Sequence, residues 1–170
     1  MPKSLADGRT KLVLLSVKPA DPASPTAAEL TAGKDISCAV LSSAYSFGAA
    51  DSDKVAEKPL CVEGNVNAIG ASNWVADVTL FRYFDEETSQ TSVTEDEAYQ
   101  ALKTKGTIVW LAERESAKKS TEDFEAADEV TVMEVLTDNP QKPSDQGGYI
   151  KRRIPLEPQA VWSGQVAAGV

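Results

Sequence analysis

Carboxylates are the side chains most able to suggest chemistry in this 170-residue chain. It has 26 Asp and Glu against 17 Lys and Arg, a formal net charge of −9, and no histidine. Without histidine, the commonest proton shuttle and metal ligand is missing. Acids gather at Asp51/Asp53, Asp85/Glu86/Glu87 and Glu122/Asp123/Glu125, which raises calcium coordination and paired acid–base work. None of these groups has the spacing of a calcium loop, and loop carboxylates are ordinarily just solvated. Cys38 and Cys61 have no companion Cys or His, which argues against zinc. They read as buried, reduced thiols in paired strands, with a disulfide as the alternative. No Gly-rich phosphate loop or nucleophile elbow is present. Trp74, Trp110 and Trp162 are either a sugar-stacking platform or fillers of core and interface volume, and the alternation around two of them favours the second. These residue types point away from a catalyst and toward a building block.

Charge and length narrow the class further. An excess of negative charge excludes tight static binding of nucleic acid, which is held by Lys and Arg through counterion release. The same charge suits a surface along which a polyanion must pass. The length corresponds to about one domain. With 42% hydrophobic and 25% charged residues, the composition is that of a folded globular protein. Apolar runs such as Leu12–Leu15 fall far short of the roughly 20 residues a spanning helix needs. No basic, apolar and small-residue leader pattern opens the sequence, so use in the cytosol, or export only as part of something larger, is expected.

The elements that must position these residues are mostly strands. Residues 1–33 read as an N-terminal arm. Within it, Lys11–Val17 is an extended strand apolar on both faces, the pattern of a strand lying between subunits or under the rest of the fold. Pro19, Pro22 and Pro25 break helix there. Thr26 and Glu29 have capping-box spacing for one short turn, and Gly33 stands where a left-handed C-terminal residue would. Residues 34–170 carry the main fold. Asp35–Leu41 alternates as a strand. Residues 42–72 form a long connection rich in Ala, Ser, Gly and Asn, within which Lys54–Cys61 can return as a strand.

Asn73–Phe84 is the clearest strand, and Thr94–Lys105 the clearest helix. Thr94 and Glu97 form the helix's capping box, and Gly106 supplies its stop. Thr107–Glu113 and Glu129–Leu136 are strands around a charged loop. Tyr149–Leu156 is a strand ended or placed at an edge by Pro155 and Pro158, and Val161–Val170 is the last strand. The fold class is mainly β: an antiparallel β-sandwich or barrel with one flanking α-helix.

This order of elements resembles the major tail tube proteins of long-tailed, siphovirus-type bacteriophages, especially those infecting actinobacteria. The likeness is carried by Ala28–Ile36, by Val78–Asp85, and by Arg152–Leu156 running on to Gly164–Ala167. It implies hexameric rings stacked into a hollow tube that conducts double-stranded DNA from capsid to host, located in the virion tail after synthesis in the host cytoplasm. It implies no catalysis and no cofactor. The implied partners are sister copies, a tape measure protein, and tail tip or terminator proteins. Other readings of the same composition are a head-decoration, tail-terminator or fibre module, and a carbohydrate-binding β-sandwich.

If the resemblance holds, an acidic lumen would repel the phosphate backbone so that DNA slides rather than sticks. The candidates for lumen-facing acids are Asp77, Glu113, Glu129 and Glu134, each in or beside a strand where a carboxylate is hard to explain as core. The candidates for inter-subunit contact are Leu12, Leu14, Leu15, Val17, Tyr45, Phe47 and Trp162, and residues 42–72 would be a loop reaching between rings.

Overall fold

The computed structural model describes residues 3–145 and 147–168. Strict alternation builds its centre: β7 (Ile108–Glu115) and β8 (Glu129–Thr137) pair antiparallel, with Leu111 opposite Met133. In chain order the other elements are β1 (Thr10–Leu15), α1 (Ala27–Thr31), β2 (Lys34–Asp35), β3 (Val40–Ala50), β4 (Lys54–Val55), β5 (Ala68–Ile69), β6 (Asn73–Phe81), α2 (Glu97–Leu102) and β9 (Lys151–Gln165). Seven strands form one antiparallel sheet in the order β2-β1-β7-β8-β9-β6-β3, and β4 and β5 form a separate two-stranded ladder. The expected mainly β class is what the chain adopts.

The sheet curls so that its edge strand β3 reaches across to β7. The Tyr45 hydroxyl on β3 donates to the Glu113 carboxylate on β7, across the concave side. Inside the curl Leu12, Leu14, Val78, Leu80, Leu111, Met133, Ile154 and Leu156 form one apolar core, closed at one end by Leu102 of α2. On the convex side Val13, Leu15, Ala112, Val130 and Val132 pack under Leu30 of α1 and Phe124 of the 116–128 loop. Strands β1, β7 and β8 are therefore buried on both faces, which explains the unbroken Leu12–Leu15 run. Arg114, fully buried, holds the 116–128 loop down by donating to the carbonyls of Lys119, Glu122 and Asp123.

Several local expectations need correction. Within the segment read as an arm, Thr10–Leu15 is β1, an interior strand of the sheet between β2 and β7. Thr26 and Glu29 do make the reciprocal capping box, and the helix they start is one short turn. Gly33 is needed for a different reason: a Cβ there would land on the side chains of Val13 and Leu15. Asp35–Leu41 supplies only β2 before a 3₁₀ turn at Ser37–Ala39, whose Ser37 hydroxyl bonds to the backbone of Leu12.

Residues 40–50, most of them read as loop, are an 11-residue strand. As an edge strand it needs few large side chains, and only Val40, Tyr45 and Phe47 reach the core. The two closing strands are one strand of 15 residues, β9. Pro155 is tolerated because its carbonyl accepts from Asp138 just past the end of β8; its backbone thus faces away from β6. Pro158 lies beyond the β6 ladder, at a bulge opposite Glu134 and Val135, as strand prolines require.

The helix α2 is shorter than the Thr94–Lys105 pattern and starts after Asp96 rather than Thr94. The Asp96 carboxylate takes Arg82 Nε at 2.8 Å, the Tyr83 N–H at 3.1 Å and Gln100 Nε2 at 2.8 Å. A bidentate charged partner outcompetes a cap bond for that side chain. Gly106 stops the helix region with φ +82° as expected.

Candidate functional site: an acidic mouth and a protruding hairpin

Register fixes what lies at each end of the sheet. Ala50 pairs with Asn73, Glu129 with Gln165, Arg114 with Val130 and Thr10 with Glu115. All these pairs lie toward one end, and the chain leaves β3 there, runs through residues 51–72 and returns into β6. The opposite end carries Leu15, Ile108, Thr137 and α2.

At the first end the concave face opens into a groove of about 390 Å³ lined by Glu113, Glu115, Glu129, Thr131, Ser163 and Gln165. Alternation on β7 and β8 puts these three carboxylates on the core side of the sheet, just past the last apolar layer. Among the described residues none of the three forms an ion pair. Burial pushes the Glu113 carboxyl up to about 7; the Tyr45 hydrogen bond works the other way, and the charge of Glu115 adds to the rise. Burial, together with Glu113, raises the Tyr45 hydroxyl as well. Glu113 is thus a partly protonated group near neutral pH rather than a full negative charge.

The four expected lumen acids do not share one surface. Glu113 and Glu129 meet in this mouth. Asp77 lies on the other face of β6 and is neutralised by Arg153, which donates Nε to Asp77 Oδ2 at 2.6 Å and Nη1 to Gln141 at 3.0 Å. Glu134 is on the convex face of β8, accepting from Trp110 Nε1 at 2.9 Å. Lys18 approaches Glu134 to 4.0 Å and lies over the Trp162 ring at 4.7 Å. Glu115, which sequence reasoning did not select, belongs with Glu113 because residues two apart on a strand share a face.

The contact candidates also divide. Leu12, Leu14 and Leu15 are 2%, 7% and 3% exposed, so they are committed to this chain's own core and are not available to a neighbour. Val17 is exposed. Tyr45 and Phe47 are half-buried and stacked on β3, ring centroids 6.2 Å apart, and Trp162 is half-buried beneath Lys18. The cysteines, expected in buried paired strands, are both exposed free thiols. Trp74 sits near the hairpin, away from Trp110 and Trp162, so the three form no common platform.

What the sequence reading missed is the hairpin's own surface. Between β3 and β6, Val55, Leu60, Val66 and Ile69 are all exposed, Leu60 completely. Only the short β4·β5 ladder and bonds such as Asp53 N–H to the Ala71 carbonyl tie this segment together. The available signal was a set of lone aliphatic residues in a polar stretch, with no period that could bury them. Such exposed apolar groups mark contact surfaces.

Taken together, this is a mainly β structural protein: one rolled antiparallel sheet with an acidic mouth and an apolar hairpin projecting from the same end. The chain matches the family model described as phage tail tube protein over residues 1–169, and it belongs to that family. No curated protein matches it. Family and fold together make it a structural protein of the bacteriophage tail tube, and its place is the virion tail. Among the described residues, no helix is long and apolar enough to cross a membrane.

Proposed function

We propose that this chain is the repeating subunit of a siphovirus-type tail tube, that six copies close into a ring, and that rings stack into a hollow conduit for double-stranded DNA. The observation that carries the reading beyond family membership is the hairpin 51–72. Among the described residues nothing covers its aliphatic side chains, while the sheet behind it buries an apolar core on each face. A subunit finished by its sisters accounts for both. The free outer edge of β3 is the second unfinished feature, since an 11-residue edge strand with one partner invites another.

In this reading Glu129 and Glu115 supply the uncompensated negative charge that keeps DNA sliding, with the partly protonated Glu113 beside them. Asp77 contributes little, because Arg153 already neutralises it. Val17, Tyr45, Phe47 and Trp162 remain lateral-contact candidates. A tape measure protein inside the tube and tip and terminator proteins at its ends are the partners that go with this role, and an actinobacterial host goes with the resemblance.

Electron microscopy of the purified chain at high concentration, with and without a preassembled tube fragment as seed, tests the proposal. Hollow rings or tubes of uniform width are expected. Trimers, or a monomer that persists under both conditions, would overturn it. Glu129→Lys should then leave assembly intact and impair genome delivery; unchanged delivery removes Glu129 from the lumen.

A further inference from the structure

The curl of the sheet is closed at its mouth by a titratable contact. Strand β3 is an edge strand, held along one side by its ladder with β6. Its register against β6 shifts between Val40 and Tyr45, and such an irregularity lets a strand bend. Past that bend, Tyr45 and Phe47 rest on the core inside the curl, and the Tyr45 hydroxyl donates to Glu113 on β7. The strand ends at Ala50, where the hairpin begins. The Tyr45–Glu113 bond thus ties the root of the hairpin to the body of the sheet.

The surroundings of Glu113 suit a neutral carboxyl better than a charged one. An ionised carboxylate offers about four acceptor sites, and among the described residues Glu113 receives one donor, Tyr45. Glu115 faces it from β7, Glu129 and Thr131 from β8, and Ser163 and Gln165 from β9. Leu12 of β1 and Ala76 and Val78 of β6 share that inner face and bring no charge. Lys11 and Arg114 point to the convex side, where they hold the 116–128 loop. Arg9, at the rim near Glu115, gives its guanidinium to the Ala117 carbonyl. Burial is the largest influence on the Glu113 carboxyl and the charge of Glu115 adds to it, so the group titrates at about 7.

We infer that Tyr45 and Glu113 form a proton-controlled latch on the curl. With Glu113 neutral, residues 45–50 lie closed against β7. With Glu113 ionised they lift, bending at the β3 irregularity, and water reaches the carboxylate. Three like charges then face one another across the mouth, which favours the same opening. The root of the hairpin moves with the latch, so a proton on β7 sets the hairpin's direction. The latch belongs to the single chain and operates without rings or tubes.

Two spin labels measure the opening. Ala50, at the end of β3, and Ala117, just past β7, are both exposed. Labels are attached through Ala50→Cys and Ala117→Cys in a Cys38→Ser/Cys61→Ser background, and their separation is read by double electron–electron resonance. Between pH 6 and pH 8 the mean distance should lengthen by at least about 3 Å, one water diameter, with its midpoint at about 7. Glu113→Gln should hold the short distance at both pH values. Glu115→Gln should move the midpoint to lower pH, because the Glu115 charge raises the Glu113 carboxyl. A single distance from pH 6 to pH 8 in the labelled parent, or a pH response that persists in Glu113→Gln, overturns the latch.

Discussion

Aliphatic side chains meet opposite fates in the sheet and in the hairpin. In β1, β7 and β8 they vanish from solvent on both faces: Leu12, Val13, Leu111, Val132 and Met133 are each at most 2% exposed. In residues 51–72 the same residue types stand in water, Ile69 at 83%. The difference is one of partners. β7 and β8 have long ladders on both flanks, β1 has a long one to β7 and a short one to β2, and α1 with the 116–128 loop covers their convex face. The hairpin has two paired positions and nothing above it, and an isolated two-stranded hairpin is marginal in water. Apolar content alone thus does not decide which side chains the chain buries; the number of covering elements does.

The strongest way to break the comparison is to attack the body. Asp96 is 1% exposed and bidentate to Arg82, whose guanidinium lies 3.7 Å from the Tyr99 ring centre and 5.0 Å from that of Phe84. Burial disfavours the Asp96 charge, yet the bonds from Arg82, Gln100 and the Tyr83 N–H outweigh it and hold the carboxyl below its ordinary value. Asp96→Ala strands the Arg82 charge and unhooks α2 from β6. Loss of about 3–5 kcal/mol is expected, read from the shift in a urea unfolding midpoint. A loss under about 1 kcal/mol would show that this pair does not hold the body together.

The acidic mouth gives a smaller effect that depends on pH. Folding lifts Glu113 from 4.5 to about 7, so the native state keeps its proton while the unfolded chain has already lost its own. The unfolded state binds fewer protons across that window, and stability falls as pH rises from about 4.5 to about 7, then levels. The full shift corresponds to an upper bound of roughly 3 kcal/mol. Glu113→Gln keeps an acceptor for Tyr45 and removes the charge. It is expected to flatten the stability profile between pH 5 and 7 and to raise stability at pH 8 by about 1–3 kcal/mol, measured by denaturant titration at each pH. A parallel profile in mutant and parent would clear Glu113 of this role.

Much of the body was legible because period and burial agree there. The β7 and β8 patterns named both strands nearly to the residue, and the Thr26–Glu29 spacing named α1. The reading failed where a long-range contact overruled a local signal. Thr94 had the spacing to cap a helix, but Asp96 was claimed by Arg82, a residue on another element. Pro155 and Pro158 signalled a break, but the neighbouring ladders end where those prolines need them to. Ser42–Ala50 lacked large side chains and read as loop, although an edge strand needs only Tyr45 and Phe47 to anchor it. Of the candidate site, Glu113 and Glu129 were legible as odd acids in strands, whereas their convergence with Glu115 depended on curl, which no local pattern encodes.

A cap tests the border between the two regimes, since α1 covers the convex core from a mostly exposed position. Glu29 accepts from the backbone N–H groups of Ala20 and Thr26, which holds its carboxyl below the ordinary value. Thr26→Ala removes one half of the box and should cost about 1 kcal/mol by urea unfolding. An unchanged midpoint would mean that packing of Leu30 alone keeps α1 in place.

The smallest folding effect belongs to the hairpin, and there the smallness is itself the prediction. Ile69 is mostly exposed and paired only with Lys54, so Ile69→Ser removes a side chain that gives the isolated chain almost no burial. Exposed substitutions of this kind usually stay within about 0.5 kcal/mol, and the urea midpoint of the monomer should not move beyond that. The same substitution should slow assembly, because an aliphatic group bound for a neighbour contributes only once the neighbour is present. The ratio of the two effects is the discriminating quantity. A body residue such as Leu111 changes folding and assembly together, since an unfolded subunit assembles into nothing, whereas a hairpin residue changes assembly alone. If Ile69→Ser destabilised the monomer by several kcal/mol, the hairpin would be part of the body after all, and the distinction between the two regions would be lost.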